Sequence, residues 1–452
     1  MNPKKVSLTV YLGSFCGMFI ITARSVILPS ALTELQGEQF YDLAVLLISL
    51  SMCIILPISG YLSDIYGRKK LFLIGCGLFS AGCLLSALAS NVSAFLLGMV
   101  SIGTAYGLIN AVQLAVLNDI STPQEIPARV SNISIANSLA CLAGPIFGGF
   151  FADYLSWKIT YIAVIPILLF CLIIMAQYHE QITKTAKNSF DMSGLSFFIL
   201  FLIPAILLLS GKNAGIYRIP RLVPFLILCV VFGLLGLYRS EGRALAPIIP
   251  FSLFQDKNYA FCIKAYLLCS MGFSITNYLV LYYQQIHLFS PFLSGLITIP
   301  RQIGQLSAGF LLRQKMYQIR NKTWPVLISF LLFGCAAGLM TSFQSDTSLP
   351  VILIAELLFG IGYCSLMIIT QNNSQLHLPK KRTGSGTALI GLTGALGNTL
   401  GSSFGAVSTS LTSTLPIGLK CYFLLNTIFM ILGIFLTIEF SRKYTKNSSQ
   451  LM

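Results

Sequence analysis

The chain has 452 residues, of which 55% are hydrophobic and only 10% are charged, and its mean hydropathy is +0.80. This balance excludes a water-soluble globular domain and predicts an all-α polytopic membrane protein. The net charge of +15 does not indicate nucleic-acid binding, because the cations lie in short segments beside apolar runs and form no basic face. We therefore expect a lipid bilayer as the surroundings and no nucleic acid as a partner.

Apolar runs recur along the chain, and most are about 20 residues long, enough to cross a hydrocarbon core of roughly 30 Å as a helix. The first run follows Lys4 and Lys5, as in a signal peptide, but many more runs succeed it, and we interpret it as a retained helix. We predict fourteen spanning helices, at residues 6–30, 41–60, 71–90, 94–117, 130–151, 158–176, 193–211, 221–238, 258–286, 293–312, 323–343, 350–371, 384–409 and 418–440.

Positive charges are distributed unequally between the two sides of the membrane. If the N-terminus is cytoplasmic, most Lys and Arg residues fall in cytoplasmic connections, and the external ones hold Lys158, Lys212, Arg218, Arg221 and Lys420. This asymmetry predicts that both termini are cytoplasmic. We expect an integral, multi-pass protein of the plasma (inner) membrane, with segment 212–221 as a local exception to the charge rule.

The two longest polar connections, residues 177–192 and 239–257, bracket the seventh and eighth predicted helices. This arrangement predicts two six-helix bundles joined by a linking pair of helices. A weak echo of residues 60–64 at residues 309–313 supports the repeat. The predicted units are an N-terminal bundle, a linking segment, a C-terminal bundle and a cytoplasmic tail, at residues 1–178, 179–257, 258–440 and 441–452.

A short charged turn joins the second and third predicted helices, with the sequence Gly-Tyr-Leu-Ser-Asp-Ile-Tyr-Gly-Arg-Lys-Lys at residues 60–70. It resembles the G-x-L-x-D-x-x-G-R-K signature of the major facilitator superfamily through Gly60, Leu62, Asp64, Gly67, Arg68 and Lys69. The resemblance implies the major facilitator fold and a cytoplasmic gate. In such a gate the Asp64 carboxylate accepts bonds from free N–H groups of a neighbouring helix and latches the two bundles together. The alternative is an ordinary turn whose cations fix topology, and for Lys70 we prefer it.

A second motif lies in the fifth predicted helix, at residues 140–149. Its sequence, Ala-Cys-Leu-Ala-Gly-Pro-Ile-Phe-Gly-Gly, resembles the G-x-x-x-G-P-x-x-G-G signature of antiporters in this superfamily, through Gly144, Pro145, Gly148 and Gly149. Residues 157–166 and 282–295 extend the resemblance to the fourteen-helix drug/proton antiporter branch. Small residues allow close helix approach and proline bends a helix, so the motif implies a hinge at the bundle interface. Simple helix packing is the alternative.

Four charged residues stand out inside the predicted spans: Arg24, Lys264, Arg301 and Glu356. Each would cost about 2.5–3.5 kcal/mol if it faced lipid at mid-depth, so we expect each to face a cavity or a partner. The family resemblance implies that spans 1, 2, 4, 5, 9, 10, 12 and 13 line the central path, and all four charges fall on them. The alternatives are a structural ion pair, such as Arg24 with Glu356, and a Lys264 side chain that reaches the membrane surface.

Two groups of polar residues lie on path-lining spans. In the fourth span, Tyr106, Asn110 and Gln113 follow helical spacing and predict one polar stripe. In the ninth span, Asn277 and Tyr282, with the neighbouring Tyr278, form a similar group. Substrate contact and ordinary polar contact between helices are equally good interpretations.

These observations predict a secondary active transporter that works by alternating access and exports a small organic compound or drug in exchange for protons. The alternative is transport of an organic anion, such as a carboxylate metabolite or siderophore, in either direction. It rests on the count of three bases against one acid, and on Ile20 and Met99, which stand where the antiporter branch has an aspartate and an arginine. An enzyme or a sensor would show clustered His, Asp or Ser groups or an added soluble domain, and we find neither.

No cofactor or metal is expected. The 12 cysteines lie mostly inside apolar runs, the three histidines are far apart, and no G-x-x-x-x-G-K-[ST] nucleotide loop occurs. The expected partners are lipid, a small-molecule substrate and protons, and a single copy of the chain is compatible with this plan.

Overall fold

The computed structural model describes residues 3–121, 125–178, 191–210, 222–241, 251–315, 323–376, 383–412 and 414–449. Over these ranges the secondary structure is helical, without β-strands. Helices are expected here because a segment that crosses a bilayer must satisfy its backbone hydrogen bonds internally.

Six helices form the first bundle: α1 (Pro3–Glu34), α2 (Tyr41–Tyr66), α3 (Arg68–Ala87), α4 (Val92–Asp119), α5 (Ile126–Tyr154) and α6 (Trp157–Ala176). Within this bundle α1 packs on α5 and α6, while α3 packs on α4 and α6. Two further helices, α7 (Met192–Ser210) and α8 (Leu222–Glu241), pack on each other beside it. The second bundle comprises α9 (Lys257–Phe273), α10 (Ile275–Gln285), α11 (Pro291–Ile297), α12 (Ile299–Lys315), α13 (Thr323–Thr341), α14 (Leu349–Leu376), α15 (Thr383–Leu411) and α16 (Leu415–Ser449).

Two of the fourteen predicted helices are broken in the structure. The span predicted at residues 258–286 is split at Ser274, whose hydroxyl donates to the Met271 carbonyl and so competes with the helical bonding pattern. The span predicted at residues 293–312 is split at Thr298, two residues before Pro300, which has no N–H to donate. Each predicted span is kept as a single crossing, and Lys257–Gln285 is apolar enough throughout to be one span, but the helical hydrogen bonding is interrupted inside both.

Fourteen crossings result when α9–α10 and α11–α12 are each counted once. Eleven of them are long and apolar enough to span a membrane by length and composition. The others are the short α7, the broken α11–α12 pair and the glycine-rich α15. The described helices thus confirm the all-α polytopic plan of two six-helix bundles and a linking pair.

The connection between α2 and α3 is a single residue, Gly67. Its φ of 89° and ψ of 150° lie in a region that is essentially restricted to glycine. Three cations, Arg68, Lys69 and Lys70, follow it immediately. We call the membrane face that carries these cations, on which α1 also begins, the basic side, and the other face the opposite side.

Candidate functional site

The described contacts of the charged turn lie within the first bundle. Arg68 forms an ion pair with Asp119 at the end of α4 and donates to the Ala115 carbonyl at 3.0 Å, and Lys69 donates to the Ala176 carbonyl of α6 at 2.6 Å. These contacts hold α3 against α4 and α6 on the basic side. The predicted latch at Asp64 and the glycine at Gly60 lie outside the residues whose side chains are described, so the gate stays a prediction.

The glycines of the α5 motif bring three helices into close contact. A Cβ on Gly144 would lie 2.1 Å from the Thr22 hydroxyl oxygen, and one on Gly148 would lie 3.0 Å from the Ala23 Cβ. Both contacts are with α1. A Cβ on Gly149 would lie 2.5 Å from the carbonyl oxygen of Pro291, which belongs to α11 of the second bundle. Gly144 and Gly149 therefore leave no room for a side chain, whereas a methyl group at Gly148 would need its neighbour on α1 to shift slightly.

The contact between α5 and α11 is reciprocal. A Cβ on Gly295 of α11 would lie 2.3 Å from the carbonyl oxygen of Pro145. Further along, the Asp153 carboxylate accepts a hydrogen bond of 2.8 Å from the backbone N–H of Phe292, in the first turn of α11. The motif predicted to be a hinge thus lies where the two bundles touch, on the opposite side.

Arg301 of α12 and Glu356 of α14 face each other inside the second bundle, with relative exposures of 4% and 0%. The Arg301 NH1 and Glu356 Oε2 atoms are 3.5 Å apart, and neither has a hydrogen-bond partner among the described residues. The other carboxylate oxygen of Glu356 accepts a hydrogen bond of 2.8 Å from the Tyr283 hydroxyl. The pair is therefore within ion-pair distance but loosely bonded, and it leaves polar atoms for another group.

Arg24 of α1 is buried where α1, α2 and α10 meet. Its guanidinium donates to the Ala44 carbonyl at 3.0 Å and to Asn277 Oδ1 at 3.3 Å, and its Nε has no partner among the described residues. No ion pair of Arg24 occurs within the described part of the chain. The suggested ion pair of Arg24 with Glu356 is not formed, because Glu356 faces Arg301.

Asp42, at the start of α2, is a buried acid that was not among the predicted site residues. One of its carboxylate oxygens lies 3.0 Å from the Tyr278 hydroxyl of α10, whose single proton is shared with the Ser402 carbonyl oxygen, also at 3.0 Å. The other lies 3.4 Å from the Thr409 hydroxyl of α15, which is closer, at 3.1 Å, to two carbonyl oxygens of its own helix. Asp42 is the second residue of the predicted span 41–60, so its position in the sequence already indicated an acid at the end of a span. Its contacts join the first bundle to two helices of the second.

Among the described residues, the buried bases do not outnumber the buried acids. The bases are Arg24 and Arg301, and the acids are Asp42, Glu356 and, just before α7, Asp191, whereas Lys264 is exposed on α9. The expected excess of three bases over one acid is wrong for the buried groups, because Lys264 is exposed and Asp42 was not counted. The excess of positive charge thus no longer favours an anionic substrate.

Two polar residues of α4 form a hydrogen bond with each other, and the third packs against α1. Gln113 donates to Asn110 Oδ1 at 2.5 Å, and the Gln113 Oε1 atom is buried without a partner among the described residues. Tyr106 packs on Gly17 of α1, where a Cβ would lie 2.0 Å from the ring. The structure therefore does not bring these three residues together with the buried charges by any described hydrogen bond.

Tyr282 points away from the buried charges, toward the loop after α10. Its hydroxyl donates to the Gln344 carbonyl at 2.7 Å and lies 3.2 Å from His287 Nε2. His287 also stacks on Phe289. Partial burial lowers the pKa of the His287 imidazole below its usual 6.5.

Several other hydrogen bonds join the bundles on the opposite side. The Tyr41 hydroxyl donates to the Asn277 carbonyl at 2.8 Å, and Gln284 donates to the Val26 carbonyl at 2.8 Å. Together with the contacts of Arg24 and Asp42, they hold α10 against α1 and α2. The described structure is therefore closed on the opposite side.

Comparisons with known proteins agree with this architecture. The sequence pattern that defines the Major Facilitator Superfamily matches residues 10–402 and, separately, 262–450. The chain is 23% identical over 411 residues to "Multidrug resistance protein Stp" of Mycobacterium tuberculosis (strain CDC 1551 / Oshkosh), a match covering 88% of this chain and 75% of that protein. It is 25% identical over 399 residues to "Putative multidrug resistance protein MdtD" of Yersinia enterocolitica serotype O:8 / biotype 1B (strain NCTC 13174 / 8081), covering 85% and 83% of the two chains.

A solved structure shows the same fold at low sequence identity. The crystal structure of the POT family transporter PepTSo superposes with a TM-score of 0.69 at 12% identity and covers 99% of both chains.

Proposed function

Because the chain belongs to the major facilitator superfamily of membrane transporters, we propose that it exports a small organic compound in exchange for protons by alternating access. The observation that carries this proposal is the loosely paired Arg301 and Glu356, a buried base and acid with unsatisfied polar atoms at the middle of the second bundle. The two relatives named for multidrug resistance support export of an organic compound.

Glu356 is the proposed exchangeable proton site. When Arg301 faces it, the positive charge favours the ionised carboxylate. A substrate group that pairs with or donates to the free Oε2 atom of the ionised Glu356 would occupy the oxygen that a proton would take, and a proton on Glu356 would remove the charge that holds this group. Substrate and proton thus compete for Glu356, as an exchange mechanism requires.

The movement is proposed to be a rocking of two bundles, residues 1–178 and 258–440, about the α5–α11 contact. Gly144, Pro145, Gly148 and Gly149 would form the hinge surface. The Asp64 carboxylate would latch the basic side in the alternate state, with Gly60 and Gly67 allowing the close turn. By the distribution of Lys and Arg, we propose that the basic side is the cytoplasmic side of the plasma (inner) membrane.

Transport by purified protein in liposomes with an imposed pH gradient tests the proposal. Organic cations and organic anions would be offered separately, and both substrate and proton movement would be recorded. We expect an organic compound to move against protons, and Glu356→Gln to uncouple the two. Asp346→Asn, which changes an exposed acid of the same bundle, is the matched control and should transport normally.

The hinge and latch have their own test. We expect Asp64→Asn and Gly144→Leu each to abolish transport, because the first removes the latching charge and the second fills the α1–α5 contact. Unchanged flux in both variants would contradict the assigned roles.

Transport of an organic anion is the second candidate. Arg24, buried without an ion pair among the described residues and with an unpartnered Nε, favours it. If anions move and Arg24→Gln or Arg301→Ala abolishes their transport, the buried guanidinium groups bind the substrate and the multidrug assignment does not hold for this chain.

A further inference from the structure

One short helix donates a tyrosine hydroxyl to each buried acid. Tyr278 of α10 donates to Asp42 in the first bundle at 3.0 Å, and Tyr283, five residues later, donates to Glu356 in the second bundle at 2.8 Å. The 11-residue helix α10 starts directly after the break at Ser274. It is therefore in contact with both carboxylates and is not continuous with the helix that precedes it.

We propose that Asp42 is a second proton-binding residue of the transporter, and that its ionised form holds the opposite side closed. This inference rests on the proposed proton-coupled transport and adds a site to it. In the ionised state Asp42 accepts hydrogen bonds from Tyr278 and Thr409, both of which belong to the other bundle. Protonation releases this contact.

The physical basis is the strength of hydrogen bonds to a charged acceptor. Bonds in which one partner is ionised are roughly twice as strong as bonds between neutral groups. A proton on Asp42 removes the negative charge and occupies one acceptor site, so both bonds to the second bundle weaken. A loss of about 1.4 kcal/mol corresponds to a tenfold rise in the ratio of open to closed molecules.

Among the described residues, the groups that contact Asp42 are mostly neutral. The phenols of Tyr41 and Tyr278 face it, and Arg24 lies beside these phenols. Glu38, in the turn before α2, accepts a hydrogen bond from Thr33 instead.

The other helices packed on α2 add no nearby charge. The described parts of α7 and α15 contain no charged residue. The charged residues of α3 and α4 lie on the basic side, at the far end of α2, and are Arg68, Lys69, Lys70 and Asp119.

The break at Ser274 gives α10 a place to pivot. Ser274 donates to the Met271 carbonyl, and its oxygen lies within hydrogen-bond distance of the Tyr422 hydroxyl of α16. A Cβ on Gly401 of α15 would lie 2.2 Å from the Met271 carbonyl oxygen, so α15 supports the break from the other side. With the break held in place, release of Tyr278 allows α10 to move away from α1 and α2 without unfolding α9.

Hydrogen–deuterium exchange of the purified full-length protein tests the proposal without an added ligand. Asp42→Asn mimics the protonated acid and is compared with the wild type at equal pH, so the intrinsic exchange chemistry cancels. At pH 8 we expect peptides of residues 275–285 and 291–297 to exchange about tenfold faster in the variant. At about pH 4, the ordinary titration range of an aspartic acid, the difference should shrink, because part of the wild-type carboxylates then carry a proton.

Equal exchange of the two proteins at pH 8 would overturn the proposal. A difference that persists undiminished at about pH 4 would overturn it as well, since a purely structural role of Asp42 does not depend on protonation. If Asp42→Asn does not fold, Tyr278→Phe serves instead, with a smaller rise in exchange at pH 8 that also shrinks at about pH 4. Asp346→Asn is the surface control and should exchange like the wild type at both values.

Glu356→Gln separates this inference from the proposed function. It should lose proton-coupled transport in liposomes but keep the pH-dependent exchange of residues 275–285. If no proton flux is found while the wild type and Asp42→Asn still differ only at high pH, the proposed function fails and the Asp42 inference stands. If substrate and proton fluxes are coupled but the wild type and Asp42→Asn exchange identically, the Asp42 inference fails and the proposed function stands.

Discussion

The two buried base–acid sets of this transporter differ in where their partners lie. Arg301 and Glu356 both belong to the second bundle and face each other at 3.5 Å. Arg24 and Asp42 belong to the first bundle, but both side chains bond to α10 of the second. A rigid rotation of one bundle against the other leaves the first set intact and must break the second.

Because of this difference, substitutions in the two sets should affect different properties of the protein. A buried ion pair within one rigid body is kept when the bodies rotate, whereas contacts between two bodies contribute only in the conformation that makes them. We therefore expect substitutions that leave one partner of the Arg301 set unpaired to lower the free energy of unfolding, in addition to their effect on proton coupling. Substitutions at the Arg24 set should act mainly on the balance between conformations.

The largest effect is expected for Arg301→Leu, which leaves the Glu356 carboxylate buried without its counter-charge. Loss of one partner of a buried pair costs about 3–5 kcal/mol, and replacement of both partners by apolar residues is often neutral. We expect Arg301→Leu to lower the free energy of unfolding by this amount and the double variant with Glu356→Leu to regain most of it. Denaturant titration in detergent micelles measures both values. A double variant as unstable as the single one would show that the pair is not the cause.

Two glycines allow the same comparison for packing, because one lies inside the second bundle and the other lies between the two bundles. A Cβ on Gly360 would lie 2.0 Å from the Arg301 carbonyl oxygen, within the second bundle, whereas a Cβ on Gly149 would meet α11 across the interface. Overpacking costs about 1–3 kcal/mol where the neighbours cannot move. We expect Gly360→Ala to lower stability by this amount, and Gly149→Ala to cost less while increasing exchange of residues 291–297. Equal losses of stability in the two variants would contradict the comparison.

A smaller effect on stability is expected for Arg24→Leu. This change strands one neutral oxygen, that of the Asn277 side chain, rather than a charge, since the Ala44 carbonyl keeps its helical hydrogen bond. An unsatisfied neutral acceptor costs about 1–3 kcal/mol, and removal of a desolvated cation offsets part of that cost. We expect a loss of about 1 kcal/mol in the same titration, together with faster exchange of residues 275–285. A loss as large as that of Arg301→Leu would show that Arg24 also stabilises a charge within its own bundle.

The smallest effect concerns His287, whose pKa is lowered by burial. Since the folded protein binds this proton less readily than the unfolded chain, stability rises with pH in this range. The contribution is fully present above the ordinary pKa of 6.5 and is lost as the pH falls below it. We expect His287→Phe to flatten the dependence of melting temperature on pH between 7 and 5. The control is Lys420→Gln, which removes an exposed charge of the second bundle and should retain the His287 contribution.

The sequence was sufficient to predict the fold and the location of two motifs, because both depend on local patterns. Helix length and the absence of charge define a span, and the glycines of α5 fix close contacts wherever they occur. The breaks at Ser274 and Thr298 were missed, since apolar periodicity continues through them. A proline two residues after Thr298 was available as a signal, whereas Ser274 offered only a hydroxyl.

The partners of the buried charges could not be predicted from the sequence. Spacing places Arg24 and Glu356 at similar depth, but only the packing of α12 against α14 decides that Arg301 is the nearer base. Asp42 shows a different reason for failure. It lies next to the predicted end of a span, where an acid is expected to reach water, and its burial depends on α10 and α15 from the other bundle.

The single-residue turn at Gly67 has a consequence for biosynthesis. With no loop between them, α2 and α3 form a hairpin whose tip carries Arg68, Lys69 and Lys70. Carrying three cations across the bilayer is costly, so the two helices are expected to insert together, and in the proposed orientation the tip stays on the side of the ribosome. The hairpin would then help to set the orientation of the helices around it. A side chain at residue 67 would oppose its formation before any transport function exists.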